Sequence, residues 1–411
     1  MASFQPKPLP YVKGLVDRGD KAYESMEPQL AVKFYQEACR NLLPQMSSSP
    51  DPEYVKNALS HSYTQIGECM VQLGDHSEGT RSDERRADNI DSSCYFKCYS
   101  ILTQFYYSPH AALSAFTASL RIKETAEVHL LIGQLQSAGD ALLSFRKGVE
   151  LLEKERRKKL LCQGYSNIAE LWMTDLCMEP EAESSCEAAV LKACENDENK
   201  WPDGSQALSS LRLSQRRGGD ASEAILKAYA MIEKGCVASA NTVGLGSKDV
   251  RENAAMEDGQ ALEIEEEELK RVEELPGFEF RTQTSKLMLE CAGVEGLGKE
   301  EVLKLADGAI MVLGSILCEN DEVVETFFLL GCAFATLGDS ENAMTYLNRA
   351  KEMLEKVKKG MEEELRNLQG FDVDGLGAQV EGIEDQMDMI DDKIEEVEEG
   401  GGGGKGMDVV G

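Results

Sequence analysis

The chain has 411 residues, 74 acidic and 43 basic, for a net charge of −31 at neutral pH. That balance argues against direct binding to nucleic-acid phosphates or to an anionic membrane surface. It favours a basic partner, which includes proteins destined for nucleic acid, with solubility alone as the plain alternative. No apolar run approaches the ~18–20 residues of a membrane span. The start, "MASFQPKPLPYVKG", has neither a secretory apolar core nor an arginine-rich transit pattern, so a soluble protein of the cytoplasm and nucleus is expected.

Proline is scarce, Ala, Leu, Glu and Lys dominate, and few runs alternate with period two, so nearly the whole chain reads as helix. The first unit is "LVDRGDKAYESMEPQLAVKFYQEACRNLLP", with Gly19, Ala22, Ala31, Tyr35 and Ala38 at helical spacing before Pro44. A second begins at "YTQIGECMVQLGD", with Ile66, Gly67 and Met70, but "SEGTRSDERRADN" after it is too polar to pack as its second helix. "VHLLIGQLQSAGDALLSFRKGVELL" offers Gly133, Gly139, Ala141, Phe145 and Gly148. The basic run "EKERRKKLL" follows from Glu153 to Leu161, either a nuclear import signal or, more commonly, the solvated end of a helix where cations suit the dipole. "YSNIAELWMTDLCMEPEAESSCEAAVLKAC" carries Tyr165, Ile168, Ala169 and Trp172, and Trp172 reads as core. Trp201 stands in a turn before "ALSSLRLSQRRGGDASEAILKAYAMI", which offers Leu208, Leu211, Gly219, Ala224 and Ala228.

From about Cys236 to Pro276 the pattern breaks. Small residues, "CVASANTVGLGSKD", lead into "ALEIEEEELKRVEEL", where Glu263 and Glu265 to Glu268 crowd together before Lys270. A fold has no need of such a run, so these five glutamates are the candidate contacts for a basic partner. The pattern resumes in "ETFFLLGCAFATLGDSENAMTYLNRAKEML", where Phe327, Leu330, Phe334 and Leu337 form one apolar stripe. Gly331 lies among them, and a mid-helix glycine costs ~1 kcal/mol relative to alanine, which points to a second helix crossing closely there. Gly338-Asp339-Ser340 ends that helix and caps the next, which offers Ala343, Leu347 and Ala350. Beyond residue 360 the chain is acidic, then glycine-rich in "GGGGKG". Val380, Ile383, Met387, Ile390 and Ile394 sit three or four apart and could extend a last helix, while the terminus reads as disordered.

The residues Phe327 to Ala350 resemble a tetratricopeptide repeat, which pairs an aromatic, Leu-Gly and aromatic helix with an Ala, bulky and Ala helix. The fold expected from this resemblance is all-α, a tetratricopeptide-repeat superhelix (α-solenoid) with an acidic insertion and an acidic, disordered C-terminal tail. Its parts are repeats over 11–235, a flexible acidic insertion over 236–276, repeats over 277–357 and an acidic, Gly-rich tail over 358–411. Each helix pair in such an array buries its apolar face only against its neighbours, and the curved stack offers a groove for a peptide or helix.

Many such proteins grip a carboxylate tail with Lys, Arg and Asn on their first helices. Here the groove-facing candidates are Val16, Asp20, Glu325, Phe328 and Cys332, none of them cationic. Two stretches, "DGSQALSSLRLSQ" and "DEVVETFFLLGCAFA", resemble the dedicated assembly chaperones of large-subunit ribosomal protein L-four. The pattern differs at the "FF" pair and at Cys332, where that family often carries Trp. The resemblance implies a protein that shields a basic ribosomal protein before it joins the large subunit, and Arg212 is expected to pair with a carboxylate inside the array.

A histone chaperone is the alternative, since histones are basic for the same reason, and a plain scaffold is a third. No HExxH, Ser-His-Asp order or GxGxxG in a strand–helix context occurs, and "GGGGKG" lacks phosphate-loop spacing, so an enzyme is not expected. No cofactor and no metal are expected either: the twelve cysteines hold no CxxC pair and suit reduced, packed positions. Direct contact with nucleic acid or membrane is not expected, and the chain is expected to be monomeric.

Overall fold

The computed structural model describes residues 6–46, 49–74, 109–245 without Asn199, 270–367 without Arg271, and 373–399. Among these residues there is no strand. The chain divides into two compact units, residues 1–183 and 184–411.

The first unit contains α1 (Leu9–Glu24), α2 (Pro28–Leu42), α3 (Pro52–Gly74), α4 (Pro109–Ile122), α5 (Ala126–Leu135), α6 (Ala138–Glu155) and α7 (Lys158–Met173). Consecutive helices pack in antiparallel pairs, α1 on α2, α3 on α4 and α5 on α6, and each pair stacks on the next. Proline at the start of α1, α2, α3 and α4 suits the first helical turn, where its missing N–H has no partner to lose.

One contact recurs in every pair. A glycine of the first helix faces a ring of the second: a Cβ on Gly19 would lie 2.6 Å from the Tyr35 ring, on Gly67 2.5 Å from Phe116, and on Gly133 2.6 Å from Phe145. Backbone and ring meet where any side chain would intervene, and that proximity explains glycine in a helix interior. The second helix of the Gly67 pair is α4, not the polar stretch after Asp75, which lies outside the described residues. Ser119 reinforces this pair, donating to the Ser60 carbonyl at 3.0 Å and lying 2.9 Å from its hydroxyl.

The second unit begins two residues into α8 (Ala182–Asn196) and continues through α9 (Asp203–Ser214), α10 (Gly218–Thr242), α11 (Phe278–Ala292), α12 (Lys299–Glu319), α13 (Val324–Leu337), α14 (Ser340–Asn367) and α15 (Val373–Glu398). The pairs are α9 with α10, α11 with α12 and α13 with α14, and α12 packs along α10. Gly331 of α13 repeats the close approach, with Leu347 as the bulky partner at 2.6 Å. Tyr346 stacks on Phe334 with centroids 5.4 Å apart, which adds to the apolar burial between α13 and α14.

Three expectations need correction. The insertion does not start at residue 236: α10 runs on to Thr242, with Cys236, Ala238, Ala240 and then Leu245 buried. The small residues there are helical because Gly314 of α12 takes Ala240 and Leu245 against its backbone. The second correction is to the register of α9, which buries Ser205, Ser209, Leu211 and Arg212, while Leu208 is half-buried and Gly218 rather than Gly219 faces inward. Ser209 can be buried because its hydroxyl donates to the Ala221 carbonyl at 2.9 Å. The third concerns the tail, where the last helix that the spacing of Val380 to Ile394 allows does form, so the expected disorder does not hold over these residues. Within it, α15 is helical and docks on α14, and its outer end touches α13. Ile383 and Ile390 are buried there against Leu347, Ala350 and Leu354, with Met387 and Ile394 packed around them. The glycine-rich end lies outside the described residues.

Only these two isoleucines of the described part of α15 are fully buried, so the helix is held by a short seam. Ile390→Ala should cost ~2–4 kcal/mol of docking energy. Amide exchange over 381–397 is expected to speed up about 30-fold or more, with exchange in α12 unchanged.

Buried thiols follow the helix packing. Cys39, Cys69, Cys162, Cys186, Cys236, Cys291 and Cys332 are buried, while Cys177 and Cys318 are exposed. Burial pushes the Cys39, Cys69 and Cys332 thiols up to about 12, which keeps them protonated and inert. Cys94 and Cys98 lie outside the described residues. No helix among the described residues is long and apolar enough to cross a membrane.

Candidate functional site

The first unit presents carboxylates on the face shared by the first helices α1 and α3. Asp20 accepts a hydrogen bond from the Tyr35 hydroxyl at 2.7 Å and lies 2.8 Å from His61 Nε2. Glu68 accepts from the Tyr23 hydroxyl at 3.2 Å and from Gln65 at 3.1 Å, and Gln72 donates to the Tyr23 oxygen. Burial raises the Glu68 carboxyl above its ordinary range, against the lowering effect of those hydrogen bonds. Burial and the Glu68 charge push Tyr23 up to about 12. This face therefore offers hydrogen-bonded carboxylates and tyrosines.

The residues expected to face a groove divide. Val16 and Cys332 are buried in their units and cannot touch a partner, because each faces the neighbouring helix. Asp20 is half-buried on its face, Phe328 is half-buried, and Glu325 is exposed and paired with Lys286 at 2.7 Å. Arg212 meets its expectation: its guanidinium lies 2.9 Å from Glu187 and donates to Gln215 at 2.6 Å. The basic run is folded into the turn between α6 and α7, with Arg156 in the left-handed conformation at φ 57° and Arg157 paired with Glu127. A receptor that reads an extended basic peptide would have to unwind two helix ends to reach it. Trp172 is core, and Trp201 is half-buried.

The second unit carries a further row of carboxylates. On α15 the apolar stripe faces α14, and Glu381, Asp385, Asp388, Asp392 and Glu395 recur at the same three-and-four spacing on the outward side. Two acids at the margins tie the helix down, Asp391 to Lys351 at 2.5 Å and Glu384 to Lys358 at 2.6 Å. The five outward carboxylates are exposed, and the charge of Asp388 also acts on Lys358 across the seam. This two-sided use of one helix is only half visible in the sequence, where the apolar positions stand out and the acids look like composition.

The predicted contacts Glu263, Glu265, Glu266, Glu267 and Glu268 lie outside the described residues. The described residues that come before and after that stretch have defined partners. Leu245 is buried on Gly314 of α12. Thr242 places its hydroxyl 3.1 Å from Cys318 Sγ, one turn further along the same helix. After the acidic run, the Pro276 carbonyl accepts a hydrogen bond from Arg281 Nε at 2.9 Å. Arg281 also donates to Ser315 Oγ at 2.9 Å and to Glu319 at 2.7 Å. Leu245 and Arg281 thus both meet the last two turns of α12, between Gly314 and Glu319. Arg281 is 2% exposed, and sequence reasoning misses it because an arginine amid "FEFRTQTSK" reads as surface.

Stacked helix pairs with glycine on the first helix against a bulky side chain on the second make each unit an all-α array of repeated helix pairs. No protein-family model matches the chain. A curated protein of Schizosaccharomyces pombe named "Probable assembly chaperone of rpl4" is 27% identical over 214 residues, 50% of this chain and 50% of the relative. The chain therefore spans about half the length of the curated relative it matches. Among solved structures, an "Assembly Chaperone of RpL4 (Acl4)", residues 1–338, superposes with a TM-score of 0.47 and 19% identity, over 80% of this chain and 98% of the other. A circular tandem repeat protein superposes with a TM-score of 0.22 and 12% identity, over 95% of this chain and 77% of the other.

Proposed function

We propose that this chain is a binding chaperone for large-subunit ribosomal protein L-four, which it shields before the client joins the ribosome. The likeness over 214 residues to a protein named as an assembly chaperone of rpl4 carries this reading. The charge of −31 and the outward carboxylates of α15 support it on physical grounds.

A ribosomal protein that threads into RNA is rich in lysine and arginine, and before assembly it attracts stray nucleic acid. A carboxylate surface neutralises those cations, and Coulomb attraction speeds capture while suppressing acidic competitors. The same attraction is screened by salt, with a Debye length of ~8 Å at physiological ionic strength. Ribosomal RNA, with its denser phosphate charge, then competes the client away. Glu263 and Glu265 to Glu268 are the leading contacts in this reading, joined by the α15 stripe and the Asp20–Glu68 face. The chain acts by binding, without catalysis or cofactor, as a monomer in cytoplasm and nucleus, and it touches neither nucleic acid nor membrane itself. A one-to-one complex of the purified chain with purified L-four, dissolved by ribosomal RNA, is the test. A chain that leaves L-four free at ~150 mM salt contradicts the proposal.

A further inference from the structure

The last two turns of α15 are built differently from the rest of the helix. Its sequence is rich in carboxylates and holds a single cation, Lys393. That lysine is not turned to solvent with the acids. Its side chain is 17% exposed, against 47% for Asp391 and 51% for Glu384, which tie the helix to α14. The charges of Lys393 and Glu396 act on the Cys332 thiol in opposite senses, so this end of α15 lies over α13. Val397, one turn beyond Lys393, packs against the same two apolar clusters that receive Phe328. Phe328 and Cys332 are one turn apart on α13, about 100° round the helix from Phe327 and from Gly331, which meets α14. A lysine and an aliphatic residue thus cover α13, supplied by a helix whose other charges are negative.

The hold is weak. Ile383 and Ile390, the fully buried anchors, and both ion pairs to α14 lie before residue 392. Beyond it Ile394 and Val397 are half-buried, and Lys393 pairs with Glu396 of its own helix at 2.8 Å. Glu395, Glu396 and Glu398 crowd the helix C-terminus, where the dipole favours cations instead. These turns can therefore fray while the seam before them stays closed.

We propose that the last two turns of α15 are a displaceable cover on α13, in which Lys393 and Val397 occupy the place of a lysine-bearing, aliphatic segment of the client that docks at Phe328. This rests on the client reading above. In the free chain the cover shields an aromatic side chain from water. It yields to a segment that replaces both its apolar contact and its positive charge, while Asp385 and Asp388 stay exposed on the closed part of the helix.

Val397→Ser loosens the cover without changing charge, so a gain in affinity reports uncovering and not electrostatics. Hydrogen exchange is followed by mass spectrometry on the full chain, free and with purified L-four. The expected result is faster exchange over 392–399 and slower exchange over 325–332 when L-four is bound, with Val397→Ser binding about fivefold tighter than the unaltered chain. Exchange over 392–399 that slows or holds still on binding, or a Val397→Ser chain that binds equally or more weakly, would overturn the inference and leave the client reading standing. The same measurement is made with a short labelled peptide of lysine and leucine. If L-four is ignored and the peptide still speeds exchange over 392–399, the client reading falls and the cover stands. If neither probe moves that segment, the cover falls as well.

Discussion

Changing Glu263 and Glu265 to Glu268 to glutamine is expected to weaken binding to L-four about tenfold or more at ~150 mM salt. Each exposed ion pair is worth little, ~0.2–1 kcal/mol, because water screens it and long side chains lose freedom when they pair. Five neighbouring carboxylates act together, and at ~0.3 kcal/mol each, near the low end of that range, they sum to ~1.5 kcal/mol, about a factor of ten. Glutamine keeps size and hydrogen bonding, so the loss reports charge. The salt dependence should flatten in step, since fewer charges are neutralised on binding, and titration calorimetry from about 50 to 300 mM salt reads both effects. Affinity that falls with no change in salt dependence would mean that the glutamates act through something other than charge.

Gly331→Val is expected to destabilise the second unit by about 3 kcal/mol. Valine forms helix slightly better than glycine, so propensity alone predicts a small gain. Packing reverses the sign. A Cβ at this position would sit 2.6 Å from Leu347 Cγ and 3.3 Å from the Ala343 carbonyl, and Leu347 is fully buried with no room to retreat. Gly360→Ala in α14 is the matched control, since nothing lies within 4 Å of the added methyl, and it should stabilise by up to ~1 kcal/mol. Urea unfolding followed by helical circular dichroism compares the two variants. If both move the midpoint in the same direction, helix propensity rather than close approach governs these glycines.

Those two positions also show what the sequence can convey. Gly331 and Leu347 lie within one uninterrupted helix pair, so helical spacing alone places them face to face. Gly133 with Phe145 and Gly19 with Tyr35 are legible for the same reason. Gly67 is not, because its ring is Phe116, carried on a helix that starts at Pro109 after a long intervening stretch. Periodicity identifies faces and is silent on which later helix will meet them.

A different blindness hides Ser209 and Arg281. Apolar spacing treats polar residues as solvent-facing, yet both are buried because each has partners that only the tertiary fold supplies. Arg212 is easier to place, because an arginine in an array so rich in carboxylates has a partner close by. On α15 the apolar stripe is readable, and its docking on α14 shortens the region expected to be disordered. The glutamates of the acidic run are legible as charge.

The most direct measurement is size-exclusion chromatography with light scattering of the purified chain mixed at ~150 mM salt with purified L-four, and separately with purified core histones, before and after addition of ribosomal RNA. The expected result is a one-to-one complex with L-four that ribosomal RNA dissolves, and no stable complex with histones. A histone complex without an L-four complex, or an L-four complex that ribosomal RNA leaves intact, would contradict it.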